Sequence, residues 1–155
     1  MEDPFERQSI RTGVFYQFPD LAMDWLEVAF GFSKLMDVRD TSGHLVHAEM
    51  GFRNCRFVVD GEWKDVVASP ATLGGNTTQI IYVQIENGLD NHCENARNHG
   101  AEIIAEPNEA YYGDRIYRAK DTEGHIWTFS EPVKHVGRKT AEQLGNVKIT
   151  GWHSE

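Results

Sequence analysis

Cysteine is scarce in this chain. Cys55 and Cys93 are the two among 155 residues, too few for a disulfide framework or a thiolate metal cage. They read as unpaired thiols of a reducing compartment, so a cytoplasmic protein is expected. No apolar run of about 18 residues occurs, so no membrane-spanning helix and no membrane partner are expected. Basic charge is also short, 15 Lys and Arg against 24 Asp and Glu, for a net charge of −9. That balance lacks the electrostatic footprint of a nucleic-acid binder, so no nucleic acid is expected as partner. The opening Met-Glu-Asp-Pro-Phe-Glu-Arg-Gln carries acids where a secretory signal would have a basic and then an apolar region. Phosphate-loop spacing, G-x-G-x-x-G after a strand and a G-x-S-x-G elbow are all missing. Core-forming residues are in ordinary supply, 40% of the chain, which excludes a disordered tail.

Periodicity supplies the elements. Residues 10–18 are rich in β-branched and aromatic types and close at Pro19-Asp20, which predicts a strand. A helix over 21–30 follows, with Asp20 as its cap, Leu21, Trp25 and Val28 at helical spacing, and Gly31 as a left-handed stop. Short strands are expected at 34–39 and 44–50, joined by the turn Asp40-Thr41-Ser42-Gly43, and a further one at 55–60. Residues 69–78 hold turn formers and no apolar period, and read as a linker. The order then restarts: a strand at 79–85, a helix over 88–99 ended by Gly100, and strands at 101–105, 114–120 and 125–130. The pattern β-α-β-β-β is written twice, as module 1 (10–68) and module 2 (79–131), before a C-terminal tail of 132–155 with a short helix at 140–144. Phe18 and Ile85 lie 67 residues apart and Gly31 and Gly100 lie 69 apart, so the two halves read as one repeated unit.

One helix can cover one face of such a sheet and leaves the other bare. Two units side by side therefore curl their bare faces into a cup. The expected fold class is α+β, with two tandem βαβββ modules whose sheets form a cupped, partly closed barrel with the helices outside.

The stretch Tyr112-Gly113-Asp114-Arg115, then Asp121-Thr122-Glu123-Gly124-His125-Ile126-Trp127-Thr128-Phe129, together with Trp25-Leu26 and Phe30-Gly31-Phe32, resembles the vicinal oxygen chelate superfamily. This group includes glyoxalases, bleomycin-resistance proteins and extradiol dioxygenases. The likeness runs over about 10–131 and is strongest to the bleomycin-resistance and glyoxalase-like branch. It implies a homodimer, and in the metal enzymes a ligand set on the first and last strands of each module. Carried onto this chain, those positions fall at Gly13, Ile80 and Thr128, with Cys55 and Asp60 at the ends of the remaining strand. A divalent ion needs about three converging donors, so no metal and no other cofactor is expected. The rival reading is a metal-dependent lyase, isomerase or extradiol dioxygenase using His47, Glu49 and Asp60.

Strand alternation then assigns the cup lining. Phe15 and Gln17, Tyr82 and Gln84, and Thr128 face inward, whereas Trp127 and Phe129 pack under a helix. Phe15 and Tyr82 also suit a collapsed core. Tyr112 and Arg115 would rim the cup, Arg115 against an anion; in the alternative, Asp114 and Arg115 pair across a turn and Tyr117 lies in the core. Trp63 would plug the mouth or meet a second subunit. His125 reads as a turn-stabilising residue, and His92 and His99 as one solvated helix face. The ligand expected is small, flat or partly polar, and organic; if it is basic, the acidic surface would speed encounter.

Overall fold

The computed structural model describes residues 8–152; the acidic start of the chain and His153 lie outside them. The elements run β1 (Gly13–Tyr16), α1 (Pro19–Phe30), β2 (Ser33–Arg39), β3 (Leu45–Phe52), β4 (Cys55–Gly61), β5 (Ile80–Gln84), α2 (Leu89–Asn98), β6 (Glu102–Glu109), β7 (Asp114–Lys120), β8 (Ile126–Pro132) and α3 (Arg138–Gly145). They make two four-stranded sheets, ordered β1-β4-β3-β2 and β5-β8-β7-β6. In each, the first strand runs parallel to the last, and the remaining pairs are antiparallel. This is the α+β, two-module architecture expected, with the sheets cupped and not closed into a barrel.

Alternation decides which face is covered. Val14 and Tyr16 of β1, Phe57 and Val59 of β4, Tyr117 and Ala119 of β7, and Trp127 and Phe129 of β8 are all buried on the helix side. The seam between modules is aromatic. Phe30 at the end of α1 lies 4.8 Å, ring centre to ring centre, from Phe129, and Phe32 lies 5.2 Å from Trp127. Such pairs add about 0.5–1.5 kcal/mol each beyond the area they bury. Polar ties cross the same seam: Trp25 Nε1 donates to the His99 carbonyl at 2.7 Å, and Asn95 Nδ2 donates to the Ala29 carbonyl at 3.0 Å.

Several local expectations are corrected. Asp20 does not cap α1, which begins one residue earlier at Pro19 with Phe18 in the capping position. Proline at the first turn has no N–H to leave unpaired, and Asp20 instead pairs with Arg39 of β2. The sixth strand runs on through Pro107 to Glu109, which β6 tolerates because it is a sheet edge. Of the helix face expected to be solvated, His99 is exposed but His92 is half-buried. His92 Nε2 donates to the Phe30 carbonyl at 3.0 Å while its Nδ1 accepts from the Tyr117 hydroxyl at 2.6 Å. Helix α2 carries this ring into the seam against α1, a consequence of module pairing that helical spacing alone does not reveal.

Candidate functional site: the open cup and the cavity between modules

The faces turned away from the helices form the cup. On module 1 this wall holds Phe15, His47, Glu49, Arg56 and Asp60. Glu49 is 3% exposed and is gathered by two arginines and a histidine. Arg11 Nη1 donates to its Oε1 at 2.5 Å, His47 Nε2 lies 3.2 Å from the same oxygen, and Arg56 Nη1 is 3.5 Å from Oε2. Burial alone would push this carboxyl upward, but the contacts with His47 and Arg11 outweigh it and hold the group below its ordinary value. Glu49 is therefore a carboxylate already satisfied by Arg11, Arg56 and the His47 ring.

On module 2, Tyr82 of β5, Thr128 of β8 and Arg118 of β7 sit in one register row. Thr128 is 2% exposed, and Arg118 Nε donates to its Oγ1 at 3.1 Å. Among the described residues no carboxylate pairs with Arg118. Tyr112 stands close to this row: burial first, and then the charge of Asp114, raise its phenol, while Arg118 pulls the other way. The wall thus offers two phenols, one hydroxyl and one guanidinium whose fork retains unused donors.

Between the modules, a cavity of about 490 Å³ opens from β4 to β5. Its floor is Phe32, Phe57 and Trp127, and its rim includes Arg53, Arg56, Tyr82 and Gln84. That size lies within the usual range of small-molecule pockets. Tyr82 is 70% exposed, so it stands where the cup wall meets the cavity mouth and does not fill a core. Arg53 is paired with Glu86 across this mouth.

The sequence-derived lining is divided by the fold. Tyr82 and Gln84 reach the cavity, and Thr128 lies on the wall beside Arg118. Phe15 lies instead in a separate cleft, edge-on to Trp63 with ring centres 5.7 Å apart. Gln17 is turned to the linker, donating from Nε2 to Thr72 Oγ1 at 2.7 Å. Arg115 is not brought to the cup. Its Nε and Nη2 each donate at 2.8 Å to the Asp90 carboxylate on α2, because it shares the helix-side parity of Tyr117. It does not pair with Asp114 either, whose carboxyl burial raises above its ordinary value. The cation on the cup side of β7 is Arg118, which the sequence reading missed. Applying to β7 the alternation already used for β8 would have found it.

The residues at the inherited metal positions do not fit a metal. Gly13 and Ile80 have no donor side chain, and the Thr128 hydroxyl already faces a guanidinium. Asp60 accepts the Gly61 N–H at 2.8 Å, and Glu49, the rival ligand, is taken by arginines. Among the described residues no three His, Cys, Asp or Glu side chains gather closely enough to hold an ion.

Paired βαβββ modules with an open cup and an aromatic inter-module cavity define the class: a small two-module protein of glyoxalase-like fold. TioX from Micromonospora sp. ML1 superposes with a TM-score of 0.66 at 28% identity, over 82% of this chain and all of that one. A glyoxalase/bleomycin resistance protein/dioxygenase from Nocardioides gives a TM-score of 0.59 at 12% identity, over 83% of this chain and 86% of its own. An uncharacterised protein of Mycobacterium bovis is 26% identical over 119 residues, 74% of this chain and 77% of that protein. No family model matches the chain. The fold is that of the vicinal oxygen chelate superfamily. Among the described residues no helix is long and apolar enough to cross a membrane.

Proposed function

We propose that this protein binds a small, flat, partly polar organic molecule in the cup and inter-module cavity, without a metal. The observation that carries the reading is the 490 Å³ cavity with an aromatic floor and a rim of phenol, amide and guanidinium groups. A planar ring would lie toward Phe57 and Trp127, and a polar or anionic substituent would reach Arg56 or, along the wall past Tyr82, Arg118. The lack of a metal-binding side chain at Gly13 and Ile80, and the engagement of the Thr128 hydroxyl by Arg118, support recognition without Lewis-acid assistance. A homodimer is part of this proposal, as the fold's resemblance implies, and so is a cytoplasmic location, as the two unpaired thiols Cys55 and Cys93 suggest.

Calorimetric titration with 2-naphthoate, read in parallel by tryptophan fluorescence because Trp127 lines the cavity, tests the proposal. Saturable binding is expected, with Tyr82→Ala weakening it about tenfold as the loss of an aromatic contact would. Binding indifferent to Tyr82→Ala, or no binding by 2-naphthoate and neutral naphthalene analogues alike, would sink the reading. Elemental analysis of protein purified without chelator checks the metal-free part, which near-stoichiometric metal overturns.

A further inference from the structure

Among the described residues, every Lys and Arg of module 2 but one is spent on a carboxylate. Arg97 pairs with Glu94 at 3.2 Å and Glu106 at 2.7 Å, Arg115 with Asp90 at 2.8 Å, and Lys120 with Glu102 at 3.3 Å. The arginines at the cavity rim are engaged as well, Arg53 with Glu86 and Arg56 with Glu49 at 3.5 Å. Arg118 alone in module 2 has no carboxylate partner among the described residues. The chain carries 24 acidic residues, so this cation is kept from them by its place on the cup wall and not by their scarcity.

That place suits an incoming anion. Tyr82, Thr128 and Arg118 are register partners on β5, β8 and β7, so their side chains leave the sheet on one face. Arg118 Nε donates to Thr128 Oγ1 at 3.1 Å, which draws the guanidinium off β7 and over β8, toward Tyr82. The gap between the Tyr82 ring and the guanidinium is therefore shorter than the roughly 10 Å that separates their strands. With Nε anchored, the Nη groups form the free edge of the fork, and that edge matches the paired oxygens of a carboxylate. The anchor also fixes the guanidinium beforehand, so less side-chain freedom is lost when a ligand arrives. Arg118 is partly exposed and Tyr82 largely so, which leaves both open to a solute. Two residues back along β5 and β8, Ile80 and Ile126 lie on the same face and give the row an apolar border.

We infer that Arg118 is the specificity-determining residue of the cup and that the ligand class it selects is an aromatic carboxylate, the ring against Tyr82 and the carboxylate on the Nη edge of Arg118. The inference rests on the ligand-binding reading above and narrows it: a neutral ring of the same shape binds, but more weakly. The net charge of −9 opposes the approach of an acid, so the selection lies in this local contact and not in long-range attraction.

The test is calorimetric titration of 2-naphthoate and its neutral isostere 2-naphthamide into the full-length protein and its Tyr82→Ala, Arg118→Gln and Arg118→Lys variants, at low and high salt. The acid should bind about tenfold tighter than the amide, the worth of a charge-assisted hydrogen bond at a partly exposed site, and salt should weaken the acid alone. Arg118→Gln should erase the preference, weakening the acid about tenfold and the amide far less, so that amide binding also reports a retained fold. Arg118→Lys keeps the charge but not the fork and should retain part of the preference. Equal affinity for acid and amide, with Tyr82→Ala weakening both, overturns this inference and leaves the cavity reading standing. Failure of both ligands to saturate overturns the reading and the inference together. A preference for the acid that survives Arg118→Gln, as it would if Arg56 held the carboxylate, also overturns the inference.

Discussion

Asp121 offers a quantitative test of what holds the two modules and the cavity floor together. It is 7% exposed and its carboxylate accepts four hydrogen bonds. The Tyr16 hydroxyl reaches Oδ2 at 2.7 Å from the other module, and Trp127 Nε1 reaches the same oxygen at 3.0 Å. The backbone N–H groups of Glu123 and His125 donate to Oδ1 at 3.1 and 3.0 Å. Replacing Asp121 with Ala strands the Tyr16 hydroxyl and the Trp127 indole N–H, both on fully buried side chains, at about 1–3 kcal/mol each. The two backbone donors belong to a partly solvated turn and add less. A loss of about 3–5 kcal/mol is expected from a total of about 5–15 kcal/mol, with a melting temperature lower by about 10 °C. Tyr16→Phe removes one donor together with its need for an acceptor, so it should cost about 1 kcal/mol. Urea denaturation of both variants and their double mutant gives the coupling energy, expected at about 1–2 kcal/mol. An Asp121→Ala cost under about 1 kcal/mol, or no coupling with Tyr16, would refute the idea that this buried carboxylate clasps the modules and fixes the indole under the cavity.

Three further outcomes follow from the same contacts. Burial lowers the His92 imidazole below its ordinary 6.5, opposed by its bond to the Phe30 carbonyl. The unfolded chain therefore binds the extra proton first, so stability should fall as pH drops from about 6.5 toward the lower folded value; His92→Gln should flatten that slope in denaturation curves taken at pH 5 to 7. Glu49 is held below its ordinary 4.5, so its contribution is full above that value and disappears as pH falls through the folded one; Glu49→Gln should cost about 1–2 kcal/mol at pH 7 and remove that acid-limb dependence. Gly113 has φ of +101°, and a side-chain carbon there would overlap the Lys134 carbonyl, while its own carbonyl accepts from Val133 and Lys134 at 3.1 and 3.0 Å. Gly113→Ala should therefore cost about 2–3 kcal/mol, and hydrogen exchange should show the 133–136 segment released from the Tyr112 loop.

The sequence determined the repeated element order, because a strand alternates with period two and a helix with 3.6, and both periods are local. It also determined the helix-side parity of Trp127 and Phe129 and the lack of donor chemistry at Gly13 and Ile80. A side chain without a donor atom cannot acquire one by folding. Even the turn at Asp121–Gly124 was legible as a turn, though its buried tie to Tyr16 was not. What only the tertiary structure decided is partnership between residues far apart in the chain. Arg115 and Arg118 differ by three positions on one strand, yet one is neutralised by Asp90 of α2 and the other stands over Thr128 with donors to spare. His92 looks like any polar helix residue until α1 brings the Phe30 carbonyl to its ring, and the predicted lining divides between two clefts because the linker crosses beside Phe15. Charge, burial and the satisfaction of a buried acceptor depend on through-space neighbours, which spacing along a chain does not encode.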